Sequence, residues 1–543
     1  MNIKTRIVFF LMVCSAVMCR AQYTRDDTLR GSITPERGWW DLTYYDLDVE
    51  VDIENQLFSG SNKIHYTVLE EGKIMQIDLQ PPMQITGVSQ NQEALSFEKI
   101  GTNAWWIYLK KTEKKGDRNS LTVTWSGKPK TALKAPWDGG IVWSFDADGK
   151  PFIASANQGI GASIWWPCKD HPADEPDSLQ IRVTAPDGLW NISNGKLRES
   201  RVDNLGRRST TWFVKNPINN YGVNINIGNY VSWTDTYRGE KGDLNLSFYV
   251  LPEDLTRAKK QFQDVYRMLE AFEYWFGPYP FYEDGYKLIQ VPYLGMEHQS
   301  SITYGNGFGN GYLGTDLSGT GWGLKWDFII VHESGHEWFA NNITYRDEAD
   351  MWVHESFTNY SETLFTEYFY GKSAASEYVQ GLRSNIQNDK TIIADYGVNA
   401  KGSGDMYYKG GNMLHTIRQV IADDELWRSI LRGINRDFYH QTVTSAQIEN
   451  YISEKSGINF SKVFDQYLRT VQIPELEIIQ SKRSAKIRWK NVVHNFNMPI
   501  DVATSKEEKV RIYPNANRWK KVKSSFVTPD KDYYITVRRT ERY

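Results

Sequence analysis

At 543 residues, with 40% hydrophobic and 24% charged side chains, the chain is too long for one core and too apolar for a disordered protein. A formal net charge of −3 removes the basic footprint of a nucleic-acid binder. An aromatic content of 14% favours strand-rich regions and aromatic-lined clefts without naming a function.

The first 21 residues read as an export signal. Lys4 and Arg6 give a charged start, Ile7 to Met18 is apolar apart from Ser15, and Cys19-Arg20-Ala21 precedes Gln22 as a cleavage pattern. A run of 12 residues is too short to span a bilayer, which takes about 20. Val13 and Met18 precede Cys14 and Cys19 where a lipoprotein signal needs small residues, which argues against a lipid anchor. Cleavage leaves only Cys168, so no internal disulfide is expected. The expected location is a bacterial periplasm or the secreted fraction, with no membrane span.

Residues 22–234 read as an all-β domain. Tyr45 to Ile53, Leu121 to Trp125 and Val223 to Ile227 alternate at period two, and Asp138-Gly-Gly and Asp148-Gly-Lys punctuate the runs. Helical patterning starts near Leu255, where Phe262, Val265, Met268, Leu269, Phe272 and Trp275 form one stripe. Further helices are predicted around Ile329–Asn341, Glu355–Tyr370, Ala374–Ile386 and Gly411–Ile421, so residues 235–472 are mainly helical. Strands return from Pro474, at Leu476–Ile479, Ala485–Trp489, Val510–Tyr513 and Tyr533–Val537, making residues 473–543 a small β-sandwich. The expected class is multidomain α+β.

The segment Val331-His332-Glu333-Ser334-Gly335-His336 carries the chemistry. It has the form H-E-x-x-H, and two histidines four apart leave one helix face and can reach one metal ion. Glu333 is placed to touch a metal-bound water, and Glu355, 19 positions after His336, supplies a third ligand. Two imidazoles and one carboxylate leave a tetrahedral position open, as catalytic zinc requires; another divalent ion could also use the set. His354 adjoins Glu355 but diverges by about 100° on a helix and should point elsewhere. His65, His171, His415, His440 and His494 lack partners at metal spacing and read as structural.

Four segments then resemble the zinc aminopeptidases related to aminopeptidase N and leukotriene hydrolase. Leu294-Gly295-Met296-Glu297-His298 looks like the exopeptidase signature G-x-M-E-N. The zinc motif extends through Trp338 to Thr344, Trp352-Val-His-Glu355-Ser-Phe resembles W-x-N-E-G-F, and Tyr407-Tyr408-Lys409-Gly410 matches Y-x-K-G. The resemblance implies a thermolysin-like catalytic domain and one zinc ion. It implies that Glu297 binds the free α-ammonium of a peptide, that Gly295 and Met296 flank the substrate, and that Gln158 makes a second ammonium contact. It implies that Tyr407 donates to the oxyanion, with Tyr408 as the competitor, and that Glu362 orients a ligating histidine or is merely a surface carboxylate.

Leu294, His298 and Glu337 depart from the family's common residues and bear on substrate preference. The large C-terminal helical domain of longer relatives is not expected here. Peptides with a free N-terminus are the expected substrates. A thermolysin-like endopeptidase would share the metal set without needing Glu297. The epoxide-hydrolase branch has a second Tyr five residues before the catalytic one, where this chain has Gly402. A silent peptide-binding protein would be expected to have lost part of the set.

Overall fold

A computed structural model describes residues 23–505 and 508–541. The expected export signal lies outside the described residues. The described chain opens with a short helix, α1 (Arg25–Gly31), whose start is a capping box: the Thr24 hydroxyl accepts the Asp27 N–H and the Asp27 carboxylate accepts the Thr24 N–H.

Trp40–Asp52 follows as a 13-residue strand. Tyr45, Leu47, Val49 and Val51 are buried on one face while Asp46, Asp48 and Glu50 face outward. A bulge between Leu42 and Tyr44 resets the alternation, so that Trp40 and Leu42 are buried as well. This strand lies inside an eight-stranded sheet, antiparallel to Leu57–Val68 and parallel to Ser178–Pro186. A four-stranded sheet packs with it and carries Pro151–Ala156, whose end delivers Gln158.

Two expectations for this region change. Val223 to Ile227 is not an alternating half-buried strand; only Asn226–Gly228 is extended in a sheet. All of these residues are buried, because Asn224 donates to the Ser301 carbonyl (3.1 Å) and Asn226 to the Ile192 carbonyl (3.0 Å). Amide side chains can sit inside when the main chain satisfies them, which hydropathy alone does not reveal. The boundary expected at residue 234 falls within a strand, Val231–Gly239, which pairs throughout with Gly242–Val250. These two open a five-stranded sheet that continues through Tyr286–Gln290 and Ile302–Tyr304 to Gly295–Met296 at its edge.

The helical region contains α2 (Gln263–Phe276), α3 (Phe328–Gly335), α4 (Trp352–Tyr370), α5 (Lys372–Gly381) and α6 (Tyr408–Ile421). Every residue of α3 is buried, as is α4 from Trp352 to Thr366, so these two form the centre of the domain. α5 stops at Gly381 and a 3₁₀ turn covers Leu382–Asn385, shorter than the helix predicted to Ile386.

Beyond Pro474 the chain forms a four-stranded and a three-stranded sheet. The last strand is Thr536–Glu541 rather than Tyr533 to Val537. Tyr533 and Tyr534 instead grip the neighbouring elements: the Tyr534 N–H donates to Thr416 of α6 at 2.9 Å, and the Tyr533 hydroxyl reaches Asp501 at 3.1 Å. Leu476, Ile487, Trp489 and Met498 share one apolar core with Ile417 and Val420 of α6. Among the described residues no helix is long and apolar enough to cross a membrane.

Candidate metal centre and substrate pocket

The start of α3 is fixed by Asp327, whose carboxylate accepts the N–H groups of Ile329 (3.1 Å) and Ile330 (3.3 Å). Tyr304, Asn306 and Gln261 also donate to it. α3 then runs to Gly335, and the following turn, Glu337–Asn341, leaves helical geometry at Phe339 and Ala340. That break turns the Phe339 carbonyl onto the Nδ1 of His336, at 3.0 Å.

The two imidazoles are therefore set from behind. Nδ1–H of His336 donates to Phe339, with the Thr358 hydroxyl 3.0 Å away, and Nδ1–H of His332 donates to Glu362 at 2.7 Å. Glu362 is held in turn by the Tyr378 hydroxyl (2.7 Å) and Asn359 (3.2 Å). With the Nδ1 atoms bonded in this way, both Nε2 atoms face Glu355. Glu355 Oε2 lies 3.5 Å from His336 Nε2 and 3.9 Å from His332 Nε2.

Whether a cation fits can be read from Glu355. Its Oε2 is buried and receives no hydrogen bond among the described residues, a costly condition for a carboxylate oxygen unless a cation answers it. One donor atom each from His332, His336 and Glu355 lie within 4.8 Å of one another. Two nitrogens and one oxygen suit zinc or a similar divalent ion with a position left open. The electrostatics agree. Burial opposes charging His336, yet Glu355, Glu297 and Glu333 pull it up to about 10, while Glu355, against its own burial, is held down at about 2 by His336. The centre carries surplus negative charge of the kind a divalent cation neutralises.

Glu333 and Glu297 converge on the same centre: each has an oxygen within 4.8 Å of a His336 nitrogen and of the other. Burial raises Glu333 to about 7, with Glu297 adding to the effect and His332 opposing it. Gly295 lets this strand lie against α3; a Cβ there would come within 2.6 Å of Ile329 and 2.9 Å of the Thr303 carbonyl. Met296 is buried beside it. From the other domain, Gln158 Nε2 donates to Glu297 Oε1 at 2.6 Å and to Glu355 Oε1 at 3.0 Å.

Tyr407 stacks on His332, with ring centroids 6.1 Å apart. Burial, then Glu355 and Glu297, push its hydroxyl well above the usual tyrosine range, so it is held as a donor. Tyr408 is raised to about 12 by burial and by Glu362, which lies behind His332 rather than at the open side. His354 turns away from the centre: its Nε2 accepts the Tyr345 N–H (2.8 Å) and its ring stacks on Tyr345.

All ten residues singled out from the sequence thus lie in or directly behind one cleft. Three supporting residues were not singled out. Asn341 donates to the Glu297 carbonyl (2.8 Å), Tyr378 secures Glu362, and burial, then Glu297, push the Tyr221 hydroxyl well above the usual tyrosine range. Asn341 falls inside the extended zinc motif and was legible there. Tyr221 and Tyr378 reach the site only through long-range packing.

A model of the Peptidase M1 N-terminal domain matches residues 42–221, and a model of the Peptidase family M1 domain matches residues 261–467. The chain belongs to the M1 peptidase family. Curated relatives of this M1 chain include Probable aminopeptidase 2 of Sulfurisphaera tokodaii, 20% identical over 84% of this chain and 58% of its own length. The Tricorn protease-interacting factor F2 of Thermoplasma acidophilum is 22% identical over 80% and 54%, respectively. The M1 chain therefore spans a little over half the length of these relatives. Among solved structures, an M1 zinc metallopeptidase variant from Deinococcus radiodurans bound to a Tyr-Ser-Ala substrate aligns with a TM-score of 0.66 at 19% identity. That alignment covers 81% of the M1 chain and 97% of the other, so the two share a fold.

Proposed function

We propose that this M1 chain is a zinc-dependent aminopeptidase that hydrolyses the N-terminal peptide bond of peptides outside the cytoplasm. The observation that carries the reading is the position of Glu297: buried, bonded by Gln158 at 2.6 Å, and with an oxygen within 4.8 Å of His336. A carboxylate so close to the metal set leaves space for one residue between a bound ammonium and the bond to be cut. An endopeptidase has no use for that anchor.

His332, His336 and Glu355 would hold the ion, which supplies acidification of a water and polarisation of the scissile carbonyl. Glu297 and Gln158 bind the α-ammonium and fix the first residue. The edge strand Gly295–Met296 offers main-chain groups to an extended peptide. Glu333 takes the proton of the attacking water and passes it to the leaving amine. The Tyr407 hydroxyl donates to the oxyanion as it forms. Glu362 and the Phe339 carbonyl keep the imidazoles in the tautomer that binds metal. The export signal read in residues 1–21 supports a periplasmic or secreted site of action.

The test is release of aminoacyl fluorophores by purified protein, beside N-acetylated counterparts, with chelator and zinc add-back. Turnover confined to free-amine substrates, lost with chelator and restored by zinc, is the expected result. Equal cleavage of blocked peptides would move the assignment to an endopeptidase. Zinc binding without turnover across a broad panel would refute the aminopeptidase reading and make peptide binding the hypothesis to pursue.

A further inference from the structure

Gln158 stands on a tight turn, Asn157 to Gly161, closed by the Gly161 N–H donating to the Asn157 carbonyl at 2.8 Å. Gly159 and Gly161 have φ of 73° and 91°, left-handed values that glycine adopts without strain. Such a turn does not hold its own carbonyls; they need donors from elsewhere.

Those donors come from the other end of the sequence. The guanidinium of Arg30, at the end of α1, donates through Nη2 to the Gly159 carbonyl at 3.0 Å and to the Ile160 carbonyl in a shorter bond. Gln80 shares the Ile160 carbonyl at 2.6 Å. Arg30 is in none of the ion pairs among the described residues; Nη2 bonds both turn carbonyls, and against the burial that raises the Glu348 pKa its charge helps to lower it. Arg30, Gly159, Tyr221, Tyr345 and Glu348 line one small cavity of about 40 Å³, enough for a single water.

α1 is itself strapped down on both domains. Arg37 forms a buried pair with Asp78 at 2.7 Å and donates to the Arg30 and Ser32 carbonyls. Gln76 donates to the Leu29 carbonyl, and His171 Nε2 lies 3.2 Å from the Gly31 carbonyl. On the catalytic side, the Tyr23 hydroxyl reaches Asp395 at 2.9 Å, and a Cβ on Gly31 would collide with Val398 and Asn399. The path from Arg30 to the site is then short: guanidinium, two turn carbonyls, and the Gln158 amide on both Glu297 and Glu355.

We infer that Arg30 is a positioning residue for substrate-ammonium recognition, acting through Gln158, and that the segment from Tyr23 to Gly38 is the strap that holds it in register. The inference rests on the aminopeptidase reading. Because a hydrogen bond that orders a binding group acts before the chemical step, loss of Arg30 should appear in KM more than in kcat.

The experiment is a double-mutant cycle on aminoacyl-fluorophore hydrolysis with R30A, Q158A and the double variant, each loaded with zinc and checked for metal content and melting temperature. R30A is expected to raise KM about fivefold to tenfold with kcat within about twofold, and R30K to recover part of the loss. In the Q158A background, R30A should change KM little, because the two act in series. Additive KM effects, or a lower melting temperature with unchanged KM, would overturn the inference and leave Arg30 with a fold-supporting role. If R30A does not fold, R30K combined with Q158A decides by the same criterion. Absence of turnover in the unmodified protein would refute the aminopeptidase reading instead, which separates the two failures.

Discussion

A hydroxyl can stabilise a developing oxyanion only if it stays protonated and faces the reacting carbonyl. Burial, then Glu355 and Glu297, keep Tyr407 protonated where it stacks on His332, whereas Tyr408 is raised by burial and by Glu362, which bonds His332 from behind the metal set. Tyr407→Phe should therefore lower kcat about 100- to 1000-fold with little change in melting temperature, and Tyr408→Phe should stay within a few-fold of the parent. Near-normal turnover by the first variant would remove Tyr407 from the mechanism. Glu362 acts one bond further out. Glu362→Ala leaves the His332 Nδ1–H without its acceptor and should weaken zinc binding about 10- to 100-fold, measured by competition with a chromophoric chelator. Unchanged affinity would make the contact incidental. Glu337, where the family commonly has Gln, accepts from Ser300 (3.1 Å), from Asn341 (2.7 Å) and from the Tyr279 hydroxyl. Three converging donors suit a carboxylate, and none of them belongs to the metal set.

At the scale of elements, α3 depends on its N-cap more than on its helical propensity. Asp327 is fully buried, caps two N–H groups and accepts from three side chains, so Asp327→Ala strands several donors at once. A loss of roughly 2 kcal/mol or more in unfolding free energy is expected, read by urea denaturation of the metal-free protein; a change below about 0.5 kcal/mol would show that the cap is dispensable. This cap was not legible in the sequence, since Asp327 follows Trp326 without a capping-box partner. The histidine spacing was legible because four residues on a helix is a geometric constraint that any helix obeys. Tyr45 to Ile53 was legible for the same kind of reason. Val223 to Ile227 misled because its asparagine amides donate to main chain elsewhere in the sequence, at Ser301 and Ile192. The strand at Val231–Gly239 was missed because much of it is exposed and polar, as an edge strand can be. Glu362 could not be decided from helical phase alone: the same face serves a surface carboxylate and a buried one.

Across the whole molecule the N-terminal domain is stitched to the segment that follows Glu297. Asn194 donates to the Gln299 carbonyl (2.7 Å), the Gly195 N–H to Ser300 (2.9 Å) and Asn219 to Asn341 (3.0 Å). His171 belongs to the same junction. Its Nδ1 accepts the Ala173 N–H at 3.1 Å, so the ring is neutral with its proton on Nε2 toward Gly31. Burial, with Arg37 adding, lowers its pKa from the usual 6.5 to about 3. Below about pH 6.5 the unfolded chain takes up a proton that the folded ring refuses, so the ring's contribution is whole above that pH and drains away toward pH 3. The gap in unfolding free energy between the parent and His171→Asn should be widest near about pH 7.5 and should shrink by about pH 4.5. A gap independent of pH would mean that the ring is not held neutral.

Gln158 bridges Glu297 and Glu355 from a different domain, so neither folding unit owns the cleft. Recovery of catalysis is then a clock for assembly rather than for secondary structure. After dilution from denaturant with zinc present, the helical circular-dichroism signal should return first, with turnover lagging until the two domains have closed on each other.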